Sequence, residues 1–456
     1  MSKNRPVAIV GIGQSKHRGH RPDINQVELV REAVTDALQD SGLSLKDIDC
    51  IVHGDMELFE GIHQPDMWHT IGDGAYLKCG FRITTGGTTG ATIACAADNL
   101  VASGYYDVVL ALGFEKQEEG HTTTGITNMA DPLWMREIQT GAITGSTGLE
   151  WVNEFGERAE WAAAKLRVLM ADNARRNPKA HLRVNITTQT VMDSRLLAYP
   201  LRLLHMCPES NGACAVIFAS ADKAKKFPQK KVWVWDHITT HREETFYRGG
   251  PRKDPLTQEV AARRLYKKVG IKNPLKEIGV FEMYDPSSWW QLDWIGNFLL
   301  LDRKTVLEMV ERNAFAIEGE FPINPSGGVV STNPIGATAL IRVAEAGLQL
   351  RGDAGEHQVP KKFDVAMASG FGGTFWTVLM LLKKELEASK EVKVAVPAVK
   401  TKPAKKKAAP VKAKKAVKKA KPKKAKKVAK KAAKKPAKKS KAKPKKGKGK
   451  LKKGRK

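Results

Sequence analysis

The chain has 456 residues and carries 77 Lys and Arg against 48 Asp and Glu, a formal net charge of +29. The excess is local: residues 390–456 hold 33 Lys and Arg and one acidic residue, so residues 1–389 form a slightly acidic body of net charge −3. No run approaches the ~18 apolar residues that cross a bilayer, and five cysteines without a CxxC pair argue against a disulfide scaffold and for a reducing cytoplasm.

The first six residues lack the apolar stretch of a signal peptide and run straight into Val7–Gly13, which reads as a buried strand. Asp23 with Gln26 is read as the capping box of a helix. Its inner face carries Val27, Val30, Val34 and Leu38, and Gly42 ends it. Ile48–His53 is the next strand. Thr88 to Ser103 is small or apolar nearly all round, which predicts a helix for the interior rather than the surface. Gly104 ends it, and the strand Val108–Leu112 follows. From about residue 115 to 202 the regularity breaks into what reads as an inserted lobe. It holds a Gly/Thr-rich loop (Gly120 to Gly148), a helix from Glu157 to about Asp172, and the basic segment Arg175-Arg176-Asn177-Pro178-Lys179. Ala213–Ala219 is a strand that closes the first half.

The second half repeats the first. Val232–His237 matches Val7–Gly13, and Ile278–Asp285 matches Ile48–Asp55. Gly336-Ala337-Thr338, opening a run that ends at Gly352, matches Gly90-Ala91-Thr92, and Val365–Phe371 matches Val108–Phe114. A duplicated strand–helix–strand–helix–strand unit predicts an α/β fold whose sheet is covered on both faces. It also brings two helix N-termini to equivalent places, where a site can form between the halves. The domains are read as 1–225, 226–386 and a Lys/Ala/Pro-rich tail over 387–456, too poor in large apolar residues to offset chain entropy and so expected to be disordered.

Several residues have two readings. Gly11-Ile12-Gly13 lacks the third glycine of a dinucleotide loop and is taken as a structural turn at the end of the strand. Cys95 and Cys214 are assigned to the core and Cys207 to a turn. His205 and His357 have no visible catalytic partner, and Trp289-Trp290 suit a pocket wall. Tyr284 is equally a space-filling tyrosine and an acid. No His, Cys, Asp and Glu group has metal-ligand spacing. The tail, without aromatic residues to read bases, is a solubilising appendage, a sequence-blind contact to nucleic acid or another polyanion, or a means of attracting anionic CoA.

A series of motifs, taken in order, resembles the thiolase superfamily in its sterol-carrier-protein-type branch, over about residues 5–384. In the first half these are Gly113-Phe114-Glu115-Lys116, Asn177-Pro178 with Ala180, Ser194-Arg195 through Pro200-Leu201, and Cys207-Pro208-Glu209-Ser210-Asn211-Gly212-Ala213. In the second they are Asn324-Pro325-Ser326-Gly327-Gly328, Asn333-Pro334-Ile335-Gly336-Ala337-Thr338, Glu345, Gln349-Leu350-Arg351-Gly352 and Gly370-Phe371-Gly372-Gly373. The resemblance implies a five-layer αβαβα fold, a homodimer or tetramer, coenzyme A thioesters as substrates, no permanently bound cofactor, and Arg175, Arg176, Lys179 and Arg183 as CoA contacts. It also implies a set of departures. The slot of the family's nucleophilic Cys falls on Gly87, the catalytic His on Asn333, the Asn or His of the preceding strand on Tyr284, and the acid–base Cys on or beside Ser369, near Gly372.

Glycine has no side chain to acylate, so an acyl-enzyme at Gly87 is excluded. What remains is electrostatic: amides at 87–89 and 371–373 toward a thioester oxygen, and Asn333 and Tyr284 as hydrogen-bonding or acid–base groups. That set suits C–C cleavage or formation on acyl-CoA without an acyl-enzyme, of retro-aldol type. The alternatives are an inactive thiolase-like subunit working with a small OB-fold, zinc-ribbon-type partner, and a CoA-binding body tethered to nucleic acid by the tail.

Overall fold

Nine strands make one mixed sheet in a computed structural model that describes residues 5–57, 59–60, 64–120, 140–227, 230–241, 256–372 and 376–386. The chain divides into two units, Met1–Lys390 and Glu391–Lys456, and every described residue lies in the first. The expected disorder of the tail and the expected amide of Gly373 fall outside the described residues.

The strands are β1 (Val7–Gln14), β2 (Cys50–Gly54), β3 (Cys79–Arg82), β4 (Val108–Lys116), the short hairpin β5 (Leu196–Ala198) and β6 (Leu201–Arg202), β7 (Asn211–Ser220), β8 (Val232–Thr240), β9 (Val280–Glu282), β10 (Val365–Gly372) and β11 (Trp376–Lys383). The large sheet runs β3-β2-β4-β7-β1-β8-β11-β10-β9. The duplication is visible in its pairing. β2 and β4 are parallel, β4 and β7 antiparallel, and β7 and β1 antiparallel. The second half repeats this with β9 and β10 parallel, β10 and β11 antiparallel, and β11 and β8 antiparallel. The halves join through a short antiparallel contact, Ala8 opposite Trp233 and Ile9 opposite Val232.

The main helices are α1 (Gln26–Ser41), α2 (Asp66–Asp73), α3 (Thr89–Ala102), α4 (Thr140–Phe155), α5 (Glu157–Arg176), α6 (Thr257–Val269), α7 (Ser288–Leu299), α8 (Arg303–Glu311) and α9 (Ile335–Arg351). α3 and α9 form a central layer: Ile93, Ala97, Leu340 and Val343 share one core with Val7 and Val109 of the first half and Ala366 and Met380 of the second. α1 covers the outer face of the first half through Leu29, Val30, Ala33 and Val34. α6 and α7 cover the second through Leu265, Trp294 and Phe298. The layers are therefore helix, sheet, helix pair, sheet, helix. Gly90 lets the central helices touch, since a Cβ there would lie 2.2 Å from the Leu340 amide nitrogen.

The local differences from the sequence reading have simple causes. α1 is capped by Asn25 with Glu28 in a capping box, not by Asp23, whose carboxylate is held 2.9 Å from Arg21. Val27 and Leu38 lie at the margin of its buried face. Gly13 sits within β1 rather than in a turn, and a Cβ there would meet Ala33 O and Ala37 N of α1 at 2.2 Å. α5 extends to Arg176, where two arginines complement the helix C-terminus. The latter part of the expected loop Gly120–Gly148 is helix α4, anchored by buried Trp151, whose Nε1 donates to Asp293 Oδ1 at 3.0 Å. Strand β11 was not expected.

α9 carries Arg342, 1% exposed, into an ion pair with Glu282 of β9 at 2.5 Å, and Ser326 Oγ donates to the same carboxylate at 2.7 Å. Removing one partner of a buried pair strands the other charge, which costs about 3–5 kcal/mol. Arg342→Met is therefore expected to lower the denaturant midpoint sharply. Arg342→Met with Glu282→Gln should recover much of the loss, and equal stability of wild type and the single variant would refute this role for the pair.

Candidate active site

The N-terminus of α3 and the C-terminal end of β10 meet at Gly87. The turn before α3 is pinned by Thr89 N donating to Gly86 O and Thr85 N donating to Thr89 Oγ1, both at 2.9 Å. The amide of Thr89 is thus already used and is not one of the expected oxyanion donors. A Cβ on Gly87 would lie 2.3 Å from the Phe371 carbonyl oxygen and 2.7 Å from the Tyr284 hydroxyl. The phenol fills the volume into which any side chain at 87 would project. Gly372 is less tightly set, since its Cβ would lie 3.0 Å from Thr85 O.

Tyr284 follows β9 and is buried, and its backbone amide donates to Ser369 Oγ at 3.0 Å. Ser369 therefore orients Tyr284 through the main chain. Burial, with Cys207 and Glu115 nearby, pushes the Tyr284 phenol well above its ordinary value, so it stays protonated and is a hydrogen-bond donor at neutral pH. Asn333, just before α9, is also buried. Its Nδ2 donates to Cys207 Sγ at 3.2 Å, and its Oδ1 accepts from Thr338 at 2.9 Å. Burial, then the Asp285 carboxyl, pushes the Cys207 thiol up to about 12. Cys207 is thus held as a neutral thiol, not an activated nucleophile.

Two further groups belong here that the sequence reading did not select. Glu115 accepts from the Gly336 amide at 2.6 Å at the start of α9, and burial with Glu60 and Asp55 nearby pushes its carboxyl up. Asp285 accepts from the Val329 amide at 2.7 Å through Oδ1, while its buried Oδ2 has no hydrogen-bond partner. Burial pushes Asp285 up to about 8, the range of a general base working near neutrality. Asp285 was legible only as the end of a strand; nothing in its sequence neighbours distinguishes it from a structural acid.

Gly87, Tyr284, Asn333, Ser369 and Gly372 are brought together, with Cys207 among them. The four basic residues form a separate group. Arg176, Lys179 and Arg183 line a cleft of about 570 Å³ that none of Gly87, Tyr284, Asn333 or Ser369 touches. Asp36, Asp40, Glu345, Asp353 and Glu356 line it too. Lys179 is held 3.0 Å from Asp36, Arg176 lies 3.6 Å from Glu318, and Arg175 lies 3.6 Å from Asp172. Arg183 donates to Arg175 O at 2.8 Å. Trp289 and Trp290 are buried on α7; Trp289 Nε1 donates to His205 Nδ1 at 3.1 Å, and Trp290 stacks on Trp294. His357 pairs with Glu345 at 2.8 Å, away from this site. Among the described residues no group of three His, Cys, Asp or Glu could hold a metal ion, and no helix is long and apolar enough to cross a membrane.

The layers and the site between the two halves define a thiolase-like fold, and the comparisons agree. Residues 252–384 match the thiolase C-terminal domain-like family. The chain is 31% identical over 386 residues to an acetyl-CoA acetyltransferase of Methanothermobacter thermautotrophicus, covering 81% of this chain and 97% of that one. It is 29% identical to sterol carrier protein 2 of Gallus gallus over 382 residues, 78% of this chain and 68% of that one. Among solved structures, the Ltp2-ChsH2(DUF35) aldolase superposes with a TM-score of 0.71 at 21% identity, covering 84% of this chain and 98% of that one. The chain belongs to the thiolase superfamily, in its sterol-carrier-protein-type branch.

Proposed function

We propose that the protein makes or breaks a C–C bond in an acyl-CoA thioester without forming an acyl-enzyme, and that a retro-aldol cleavage of a β-hydroxyacyl-CoA is the direction its groups suit. The observation that carries this reading is the Tyr284 hydroxyl lying where a side chain on Gly87 would be. In the cleavage, Asp285 takes the proton of the β-hydroxyl as its oxygen becomes a carbonyl. The Cα–Cβ electron pair moves into the thioester to give an enolate, and the carbonyl product leaves. Proton return to Cα completes the shortened acyl-CoA. The Tyr284 phenol, the Gly87 and Thr88 amides and the second N–H of Asn333 stabilise the charge on the thioester oxygen. The aldolase with this fold is a precedent in name for such chemistry.

The test is intact-mass analysis after incubation with labelled acyl-CoA. No stable adduct is expected, and thiol alkylation should leave turnover largely intact; an acyl group mapped to Cys207 or Cys95 would overturn the reading. The CoA phosphates are assigned to Arg175, Arg176 and Arg183, which are exposed; the surface ion pairs of Arg175 and Arg176 are displaced by a phosphate at little cost. In calorimetry, Arg176→Ala with Arg183→Ala should weaken CoA binding about tenfold, and unchanged affinity would remove them from that role.

Assembly is favoured by a separate observation. β3 is the edge strand of the sheet, and beside it α2 and the segment that follows expose Met67, Trp68, Ile71, Tyr76 and Leu77, with Leu77 89% exposed. An apolar patch beside an open strand edge is a site for another chain, here taken as a second copy; a small OB-fold, zinc-ribbon-type protein is the alternative. Light scattering should report a dimer that Ile71→Asp with Leu77→Asp converts to monomer, and a monomeric wild type would leave the patch to a different partner.

A further inference from the structure

Arg167 is a fully buried charged side chain that the proposed chemistry leaves unused. It lies on α5, 1% exposed, and its Nε and Nη1 have no hydrogen-bond partner. No ion pair among the described residues includes it. Burying an uncompensated guanidinium is costly, and other buried cations here, such as Arg342, sit against a carboxylate.

The surroundings of Arg167 include an unused donor. Its charge acts on Asp285 and on His205. His205 Nδ1 accepts from Trp289 Nε1 and from the Arg202 amide, both at 3.1 Å, so the ring carries its proton on Nε2, and Nε2 is itself buried without a partner. Burial holds His205 down to about 3, so this is a neutral N–H donor. The acid whose charge acts on Arg167, Asp285, is mostly protonated at neutral pH because burial raises it to about 8. Arg167 itself, lowered only to about 10 by burial, stays charged. The chain therefore holds a buried cation and a neutral donor with no anion opposite them.

We propose that Arg167, helped by His205 Nε2–H, binds a carboxylate on the acyl portion of the substrate, so that the protein selects ω-carboxyacyl-CoA thioesters over their neutral counterparts. A carboxylate fits the planar fork of a guanidinium with two parallel hydrogen bonds. The phosphates of CoA are not the occupant, because they are assigned to the exposed Arg175, Arg176 and Arg183, whereas Arg167 is buried. A short acyl chain is predicted: Arg167 interacts with His205 and with Asp285, which adjoins Tyr284, so the anion lies close to the reacting carbons. This inference rests on the acyl-CoA reading above.

The probe pair is glutaryl-CoA and isoheptanoyl-CoA, in which an isopropyl group replaces the carboxylate at nearly constant shape. Calorimetry on the full chain at physiological salt should show the wild type binding glutaryl-CoA at least about tenfold more tightly, the worth of a charged hydrogen-bonded pair. Arg167→Met should erase that preference while still binding isoheptanoyl-CoA, and Arg167→Lys should keep part of it. The basic tail attracts both ligands in wild type and variants alike, so a preference that survives Arg167→Met belongs to the tail and overturns the proposal. Tight and equal binding of both ligands by the wild type also overturns it and leaves the acyl-CoA reading intact. Failure of both ligands to bind the wild type defeats the acyl-CoA reading itself, and this inference with it. If Arg167→Met does not fold, the wild-type comparison is repeated at high salt, which screens the exposed tail but not a buried pair; a preference lost with salt overturns the proposal.

Discussion

Tyr284→Phe is expected to lower turnover by about a hundredfold or more, with substrate affinity changed far less. The substitution removes one oxygen and keeps the ring that packs near Phe371, so the local packing survives. The phenol is held protonated by burial, and its oxygen sits against the Gly87 backbone at the head of α3. A donor there acts on charge that develops on the thioester oxygen, so its loss falls on kcat rather than on KM. The residual activity should keep the pH dependence of the wild type. If Asp285 is the base, turnover rises with pH through about 8 as its carboxyl ionises, and Tyr284→Phe should not move that limb. Asp285→Asn should abolish it. A Tyr284→Phe variant with full turnover would reduce Tyr284 to a space-filling ring, and the charge would then fall to the backbone amides and Asn333 alone.

The fold was legible because duplication is a property of the sequence itself. Gly90-Ala91-Thr92 and Gly336-Ala337-Thr338 mark the same turn of the paired central helices, and the matching runs before and after them became β1 with β8, β2 with β9 and β4 with β10. Elements that owe their form to tertiary contacts were missed. α4 is rich in Gly and Thr and has weak helical preference, yet Trp151 and its neighbours pack it into the lobe. The site was half legible. Gly87 and Tyr284 come from distant motifs, and only the fold shows that one occupies the other's space. Cys207 looked like a turn residue because the bond from Asn333 is made across 126 positions of chain. Arg167 was invisible as a functional group, since on a helix that also carries Arg158, Arg175 and Arg176 nothing local distinguishes a buried arginine from exposed ones. The basic segment was the opposite case. Its charges are plain in sequence, but the carboxylates that share its cleft come from α1, α9 and the segment after α9.

Gly87→Cys is expected to destabilise the protein and to gain no acyl-enzyme. A Cβ at this position meets the Phe371 carbonyl oxygen at 2.3 Å, a backbone atom fixed by the pairing of Phe371 with Thr377 across β10 and β11. Overpacking against a fixed backbone costs about 1–3 kcal/mol, and this contact lies at the severe end. Gly87→Ala should show a similar loss in denaturant midpoint, because the clash is at Cβ and not at the sulfur. Adding Tyr284→Phe relieves only the 2.7 Å contact with the hydroxyl; the ring carbon that bears it, 3.1 Å away, and the Phe371 carbonyl remain. The double variant should therefore recover only part of the stability and still take up no label from acyl-CoA. The thiol would also lack a base, since Asn333 cannot accept a proton from it. A Gly87→Cys variant as stable as wild type and acylated at that position would show that the slot is open and that only the nucleophile is missing, and the non-covalent reading of the site would then fail.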